Sequence, residues 1–311
     1  MAHRIVHGGE RYSDSVLLDE AALDYLASLN PLAPLHQPHN LAGVRACQQA
    51  WPELPQVACF DTGFHSTLAP EEQLFALPQA LRAQGIRRYG FHGLSYRYLA
   101  GRLQALSTRS GGRVLMAHLG NGASVCAMRD GRSIATSMGF SALDGLMMGT
   151  RSGALDPGVP LYLMQQGWSA QRIEDLLYRE SGLLGVSGLS ADMRTLRASA
   201  APAAHQAIAL FEHRLRREAG ALIACLGGLD LLAFTGGIGE HDAALRQAAC
   251  RHLAYLGAAL DPAANRDACG SRAMAIHAAG SAVEIWVVPT DEGRVAASDA
   301  AGLLAARRPS A

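Results

Sequence analysis

The chain has no lysine: all 27 of its basic residues are arginine. Schiff-base chemistry, a phosphate-loop lysine and the strand lysine of protein kinases are excluded together. Anion chemistry therefore falls to Arg, His and backbone N–H groups. Net charge is lacking as well, because Asp and Glu also total 27. Nothing in that balance draws the chain to nucleic acid or to an anionic membrane, and the expected partners are small molecules. The six cysteines, Cys47, Cys59, Cys126, Cys225, Cys250 and Cys269, form no C-x-x-C pair and no metal-like spacing. In a chain this large they read as reduced core residues, not as disulfide staples. No apolar run approaches the ~18 residues of a membrane span, and Met1-Ala2-His3-Arg4 opens no signal-like apolar region. The expected address is cytoplasmic.

What is present is apolar content near half, 49% of 311 residues, enough for one large domain or two ordinary lobes, and two lobes is the reading adopted. The chain opens almost inside a strand-like segment, His3 to His7, ended by Gly8-Gly9. Short apolar runs then alternate with helical stretches: Gln56 to Phe60 before Asp61, Ile86 to Phe91 before His92, Asp230 to Phe234 before Thr235, and Val283 to Val288 before Thr290. Strands that deliver polar residues at their C-terminal ends are the habit of α/β folds, where ligands bind at those ends. Between Val114 and Met138 three strand-like runs are broken by Gly120-Asn121-Gly122 and by Asp130-Gly131, the second a type I′ hairpin signal. An antiparallel meander among α/β elements predicts mixed sheets. Apolar residues at Ile208, Phe211, Leu215, Ala219, Leu222 and Leu226 mark one face of a core helix from Pro202. Arg307-Arg308-Pro309 reads as a solvated tail.

Several segments could carry chemistry. His118 to Ser124 ends a strand with small residues that let backbone N–H groups approach an anion, although Gly-Asn-Gly suits any tight turn. Phe234 to His241 follows a buried-type strand. It lacks the third glycine of a dinucleotide fingerprint, since Asp242 stands there, and serves equally as a nucleotide slot or a structural turn. Arg151 lies in the small-residue loop Gly145 to Gly153, where a guanidinium can grip phosphate oxygens or simply be solvated. Arg4, His36, Asp61 and His92 add charged or proton-bearing groups at strand ends and turns. Glu292 could hold Mg²⁺ through water, or the segment Thr290-Asp291-Glu292 could cap a helix.

Taken in order, these segments resemble the acetate kinase family: H-R-I-V-H-G-G at 3 to 9, F-D-T-G-F-H at 60 to 65, Y-G-F-H-G-L-S at 89 to 95, H-L-G-N-G at 118 to 122, G-L-M-M-G-T-R-S-G at 145 to 153 and F-T-G-G-I-G-E at 234 to 240. Six collinear motifs are far more specific than any one. The resemblance implies an α/β, two-lobed ribonuclease-H-like fold shared with sugar kinases, actin and chaperone ATPases, with its site in the cleft between lobes. It implies residues 1–63 as the remainder of a first lobe, with 293–311 packing back on it, and 64–292 as the second lobe. It also implies roles. Arg4 and Arg151 bind substrate and the transferring phosphate, His92 stabilises the transition state, and Asp61 is the essential aspartate. Val6, Leu35, His36, Phe91 and Ala142 line the acyl site. His118, Leu119, Gly120, Asn121 and Gly122, with Asp192, Met193 and Arg194 and with Gly237, Ile238, Gly239, Glu240 and His241, meet the nucleotide. Glu292 serves Mg²⁺.

The implied activity is phosphoryl transfer between ATP/ADP and acetate or acetyl phosphate, with propionate or butyrate as the alternative acceptor and a homodimer as the assembly. A carboxylate is already ionised near pH 7, so direct in-line transfer needs no general base. Asp61 is accordingly expected to orient Arg groups or metal-bound water. The sequence also departs from the family pattern. Nothing before His3 supplies the family's first strand, its Asn-x-Gly-Ser-Ser-Ser-like loop and the nearby lysine, so the first lobe is expected to be incomplete at its N-terminus. On that expectation the start lies inside a longer reading frame, or the chain is a non-catalytic nucleotide-binding remnant with an unpaired sheet edge. Ala142 replaces a usual proline, His241 a usual asparagine and Gly293 a usual glutamate. The first change makes a roomier acyl pocket, although one methylene discriminates by only about 1–3 kcal/mol.

Overall fold

A computed structural model describes residues 1–306, and the arginine-rich tail lies outside the described residues. Among the described residues nine strands form two sheets: β1 Ala2–Ile5, β2 Val16–Leu17, β3 Val57–Phe60, β4 Val114–Leu119, β5 Ala123–Arg129, β6 Arg132–Thr136, β7 Leu231–Thr235, β8 Met274–Ala275 and β9 Glu284–Val287. The smaller sheet runs β1-β3-β2 and the larger β6-β5-β4-β7-β9-β8. Both are mixed. In the larger, β4, β7 and β9 are parallel while β5, β6 and β8 run antiparallel to their neighbours. The β5–β6 turn has Asp130 at φ 51° and Gly131 at φ 73°, so both central residues are left-handed, as a type I′ hairpin requires.

The parallel strands are apolar on both faces because each face is covered by a helix. On one face Leu115, Ala117, Val125, Leu232 and Phe234 pack against Ile208, Phe211, Leu215, Ala219 and Leu222 of the helix Pro202–Leu226. On the other, Val114, Met116, Cys126, Leu231 and Ala233 pack against Tyr96, Leu99 and Leu103 of the helix Gly93–Leu106. Successive residues of β4 alternate between these cores, which is the period-2 geometry of a strand. The small sheet repeats the plan. Ile5, Ala58 and Phe60 meet Leu23 and Leu26 of the helix Glu20–Ser28 and Leu41 and Val44 of the helix Gln37–Ala50. Its opposite face, Val57 and Cys59, receives Val295, Ala296 and Ala300 of the C-terminal helix Glu292–Ala305.

Two expectations need correction. Ile86 to Phe91 forms no strand. Gly90 sits at φ +74°, and the amides of Tyr89 and Gly90 both donate to the Gly139 carbonyl of a loop, so the segment makes no ladder. The cysteines are all free, but only Cys59, Cys126 and Cys250 are buried, whereas Cys225 and Cys269 are exposed. Among the described residues no helix is long and apolar enough to cross a membrane.

Candidate active site

Parallel pairing of β1 and β3 sets Arg4 opposite Cys59 and Ile5 opposite Phe60, so the chain leaves β3 at Asp61 beside Arg4. The guanidinium donates through Nε to Asp61 Oδ1 at 3.1 Å and through Nη2 to Oδ2 at 2.5 Å. Asp61 is fully buried, while 42% of the Arg4 side chain is open. The carboxylate raises the guanidinium pKa, first by its charge and then, against the cost of burial, by hydrogen bonding. Both Asp61 oxygens are thus occupied by Arg4. Glu292 Oε2 lies 3.3 Å from Arg4 Nε. Asp291, not Glu292, caps the C-terminal helix by accepting from the Arg294 amide, so Glu292 is left to face Arg4. Burial, then the nearby Asp61 charge, raises the Glu292 carboxyl against the pull of Arg4.

His92 stands at the start of the helix Gly93–Leu106 in the left-handed region, φ 59°. Such a backbone persists in a non-glycine residue only when its surroundings impose it. Here the Gly93 amide donates to the Asp61 carbonyl at 2.8 Å, and the buried His65 binds the Phe91 carbonyl through Nε2 at 2.9 Å. The His92 ring stacks on His118 with centroids 4.2 Å apart. Arg151 donates through Nη1 to the Ala142 carbonyl at 2.7 Å.

The Gly120-Asn121-Gly122 turn is where His92, His118 and Arg151 meet. A methyl added at Gly122 would stand 2.7 Å from Arg151 Nη2 and 3.1 Å from His92 Nε2. One added at Gly120 would lie 3.9 Å from the Gly237 amide nitrogen and 4.0 Å from His118 Nε2. The arginines sense each other: burial lowers the Arg151 pKa and Arg4 lowers it further. His36 is pushed down to about 4 by burial, then by Arg151 and Arg4. His92, His118 and Arg151 thus gather at the glycine turn, with Arg4 and His36 near enough for their charges to be felt.

From that turn a cleft of about 530 Å³ extends between Gly120, Asn121, Asp192, Met193, Arg194, Gly237, Ile238 and His241, with Ala191, a residue the sequence reading did not select. Asp192 caps the helix Met193–Arg197 and pairs with Arg194 at 2.7 Å. Three of the selected residues point elsewhere. The Leu119 side chain is fully buried in the core. The Glu240 carboxylate accepts from the Gly236 amide at 2.9 Å, the Thr290 amide at 3.1 Å and the Thr235 hydroxyl at 3.2 Å. Glu240 therefore ties the end of β7 to the segment after β9, as a buried carboxylate must find donors. Gly239 faces Phe234, Ala117 and Leu119 and not the cleft. Val6, Phe91 and Ala142 share one buried cluster, with Leu35 and His36 half-buried before the helix Gln37–Ala50.

The sequence reading missed Ser95, Tyr96, Ser124 and Thr290, whose hydroxyls surround the two stacked histidines. A signal existed: Ser95 lies one helical turn after His92, and Ser124 lies opposite His118 in the β4–β5 register.

Buried neutral histidines make the fold acid-sensitive. Burial is the first cause that holds His7, His36, His65 and His118 near 4, against an ordinary value of 6.5. Between those values the unfolded chain binds more protons than the folded one, so stability rises with pH across the window and is fully present above about 6.5. Thermal melts between pH 7 and pH 4.5 are expected to show a falling midpoint. A midpoint independent of pH over that range would show that these rings are not buried neutral.

Comparison with known proteins completes the picture. The sequence model of the Acetokinase family matches residues 1–298. An acetate kinase of Rhodopseudomonas palustris is 55% identical over 295 residues, 94% of this chain and 74% of that protein. A propionate kinase of Yersinia enterocolitica is 47% identical over 308 residues, 96% of this chain and 76% of that protein. The crystal structure of acetate kinase from Entamoeba histolytica superposes with a TM-score of 0.92 at 36% identity, covering 98% of this chain and 81% of that one. These likenesses carry the two-lobed α/β fold and the kinase chemistry that the motifs implied, and the chain belongs to the acetokinase family.

Proposed function

We propose that the chain moves the γ-phosphoryl of ATP to the carboxylate of acetate, reversibly giving acetyl phosphate and ADP, by direct in-line displacement. The observation that carries this reading is the approach of His92 and Arg151 to Gly122, within the field of Arg4, at the turn whose Gly120 and Asn121 line a cleft. A carboxylate nucleophile needs no base, so positioning and charge stabilisation supply the catalysis. Arg151 and His92 grip the phosphoryl oxygens. Arg4, aimed by Asp61, holds the carboxylate. The nucleotide lies along Gly237, Ile238 and His241, with its phosphates toward Gly120 and Asn121.

The donor chemistry suits Mg²⁺. Glu292, beside the Arg4–Asp61 pair, offers hard oxygens, and among the described residues no group of three or more His, Cys, Asp or Glu side chains gathers to cage an ion. A largely hydrated ion held by Glu292 and by nucleotide phosphates is the arrangement this cation favours. When bound it would neutralise charge on the phosphates. Glu292→Gln is expected to raise the Mg²⁺ concentration for half-maximal rate about tenfold. An unchanged metal requirement would remove Glu292 from that role.

Propionate is the second acceptor, favoured by Ala142 in the buried cluster that walls the acyl site. The first lobe is residues 1–63 with the C-terminal helix, and the second lobe is 64–292. The helix Gly158–Gln165 exposes Val159, Leu161, Tyr162 and Met164, an apolar face suited to a second copy in a cytoplasmic homodimer. A hydroxylamine trap for acyl phosphate, run with ATP, Mg²⁺ and either acid, tests the activity. Hydroxamate from acetate, with less from propionate, is the expected result; folded protein that yields none from either acid would overturn the reading.

A further inference from the structure

The two stacked histidines of the site are held in the same way. His92 Nδ1 lies 2.8 Å from Ser124 Oγ, and that oxygen lies 2.5 Å from the Tyr96 phenol. His118 Nδ1 lies 2.8 Å from Ser95 Oγ, which lies 2.9 Å from Thr290 Oγ1. The hydroxyls arrive from separate elements: Ser95 and Tyr96 from the first turn of the helix Gly93–Leu106, Ser124 from β5, and Thr290 from the segment after β9. Tyr96, Ser95 and Ser124 are fully buried, whereas Thr290 is half-buried, so water cannot substitute for the Tyr96–Ser124 contact.

A hydroxyl gives one hydrogen bond and can accept others. Beside the buried Tyr96 phenol stand Ser124 Oγ and a hydrogen-bonding donor from the His118 backbone; the acceptor offered to it is Ser124 Oγ, so the tyrosine proton is directed there. The Ser124 proton is then directed to His92 Nδ1. A ring nitrogen that accepts carries no proton, and in a neutral imidazole the proton must sit on the other nitrogen. That other nitrogen, Nε2, is the one that faces the glycine turn: it lies 3.1 Å from the methyl position of Gly122. His118 Nε2 faces the same turn, 4.0 Å from the methyl position of Gly120. Neutrality follows from geometry too. Two imidazolium rings stacked at 4.2 Å and 21°, beside Arg4 and Arg151, would repel strongly in a buried site. Burial accordingly lowers both ring pKa values, His118 to about 4 and His92 well below 6.5.

We propose that the Tyr96–Ser124 and Thr290–Ser95 hydroxyl pairs are positioning residues that lock His92 and His118 as neutral Nε2–H tautomers, so that two parallel ring N–H groups are aimed at the phosphoryl seat. This deepens the phosphoryl-transfer reading and rests on it. Without Ser124 the His92 proton is free to reside on either nitrogen, and rings with Nδ1–H turn a lone pair toward the anionic phosphoryl. The hydroxyls cost the fold nothing in charge, yet they decide whether the site presents donors or acceptors.

The test joins a spectroscopic readout to kinetics on the full chain labelled with ¹⁵N-histidine. Long-range ¹H–¹⁵N correlations at pH 7 are expected to give the Nε2–H pattern for His92 and His118 in the wild type. Ser124→Ala should lose that pattern at His92 and lower kcat about tenfold to a hundredfold with little change in KM. Ser124→Thr, which keeps the hydroxyl, should restore both. Should Ser124→Ala not fold, Tyr96→Phe carries the same test, with the shift and the fall in kcat in the same direction. An Nδ1–H or doubly protonated His92 in the wild type would overturn the proposal. So would a hydroxyl-free variant that keeps both the Nε2–H pattern and wild-type kcat. A wild type that transfers no phosphoryl would instead sink the reading of the site, leaving the spectrum alone to decide the tautomers.

Discussion

Arg151→Ala is expected to lower kcat for acyl phosphate formation by about a thousandfold, the upper range for removing one preorganised donor from a transferring charge. Its guanidinium is held by the Ala142 carbonyl at 2.7 Å and reaches to the methyl position of Gly122, the proposed seat of the phosphoryl. Lysine at this position should not rescue, because a point charge lacks the planar fork that binds one oxygen partner while leaving others free. Stability is expected to move the other way. Burial and the neighbouring Arg4 hold the Arg151 pKa below its ordinary value, which means that the folded enzyme keeps a poorly compensated charge. Deleting it should leave the melting temperature unchanged or raised. Steady-state kinetics with a thermal melt of the same preparation checks both halves, and near-normal turnover would take Arg151 out of the site.

Gly122→Ala is expected to reduce kcat/KM about a hundredfold without unfolding the protein. The new methyl would stand 2.7 Å from Arg151 Nη2 and 3.1 Å from His92 Nε2, within the space between the two groups that must share the phosphoryl. Arg151 Nη2 is the far end of a flexible side chain, so the arginine swings aside and the clash is relieved at the cost of geometry. Gly122 takes no left-handed backbone, so alanine brings no conformational penalty there. A folded Gly122→Ala protein with wild-type kcat/KM would mean that the phosphoryl passes elsewhere.

Much of this arrangement was legible in the sequence where local chemistry dictates structure. Asp130-Gly131 specifies a hairpin because both residues tolerate positive φ, and the apolar spacing from Ile208 to Leu226 specifies one helix face. The motifs at strand ends and loops led to the expectation that Arg4, Asp61, His92 and Arg151 lie together, and Arg4 does meet Asp61 while His92 and Arg151 meet at the Gly122 turn. What was hidden depends on partners far along the chain. Ile86 to Phe91 has strand-like composition, yet its amides find the Gly139 carbonyl, and no periodicity reports that choice. Glu240 in a glycine-rich loop reads the same whether its carboxylate faces a nucleotide or, as here, the amides of Gly236 and Thr290. The serine and tyrosine hydroxyls around His92 and His118 escaped because a hydroxyl in a strand or first helical turn has many ordinary uses. Only the register of β4 with β5 brings Ser124 beside both histidines.

A crystal structure with ADP, Mg²⁺, acetate and a planar fluoride that mimics the phosphoryl in flight would settle the arrangement, because an enzyme is most complementary to that species. The fluoride is expected beside Gly122, within hydrogen-bond reach of the Arg151 guanidinium and of His92 Nε2, with the acetate carboxylate on Arg4 and the ADP along Gly237 and Ile238. A fluoride seated away from these three side chains, or a nucleotide bound outside the cleft between Gly120 and His241, would contradict the account.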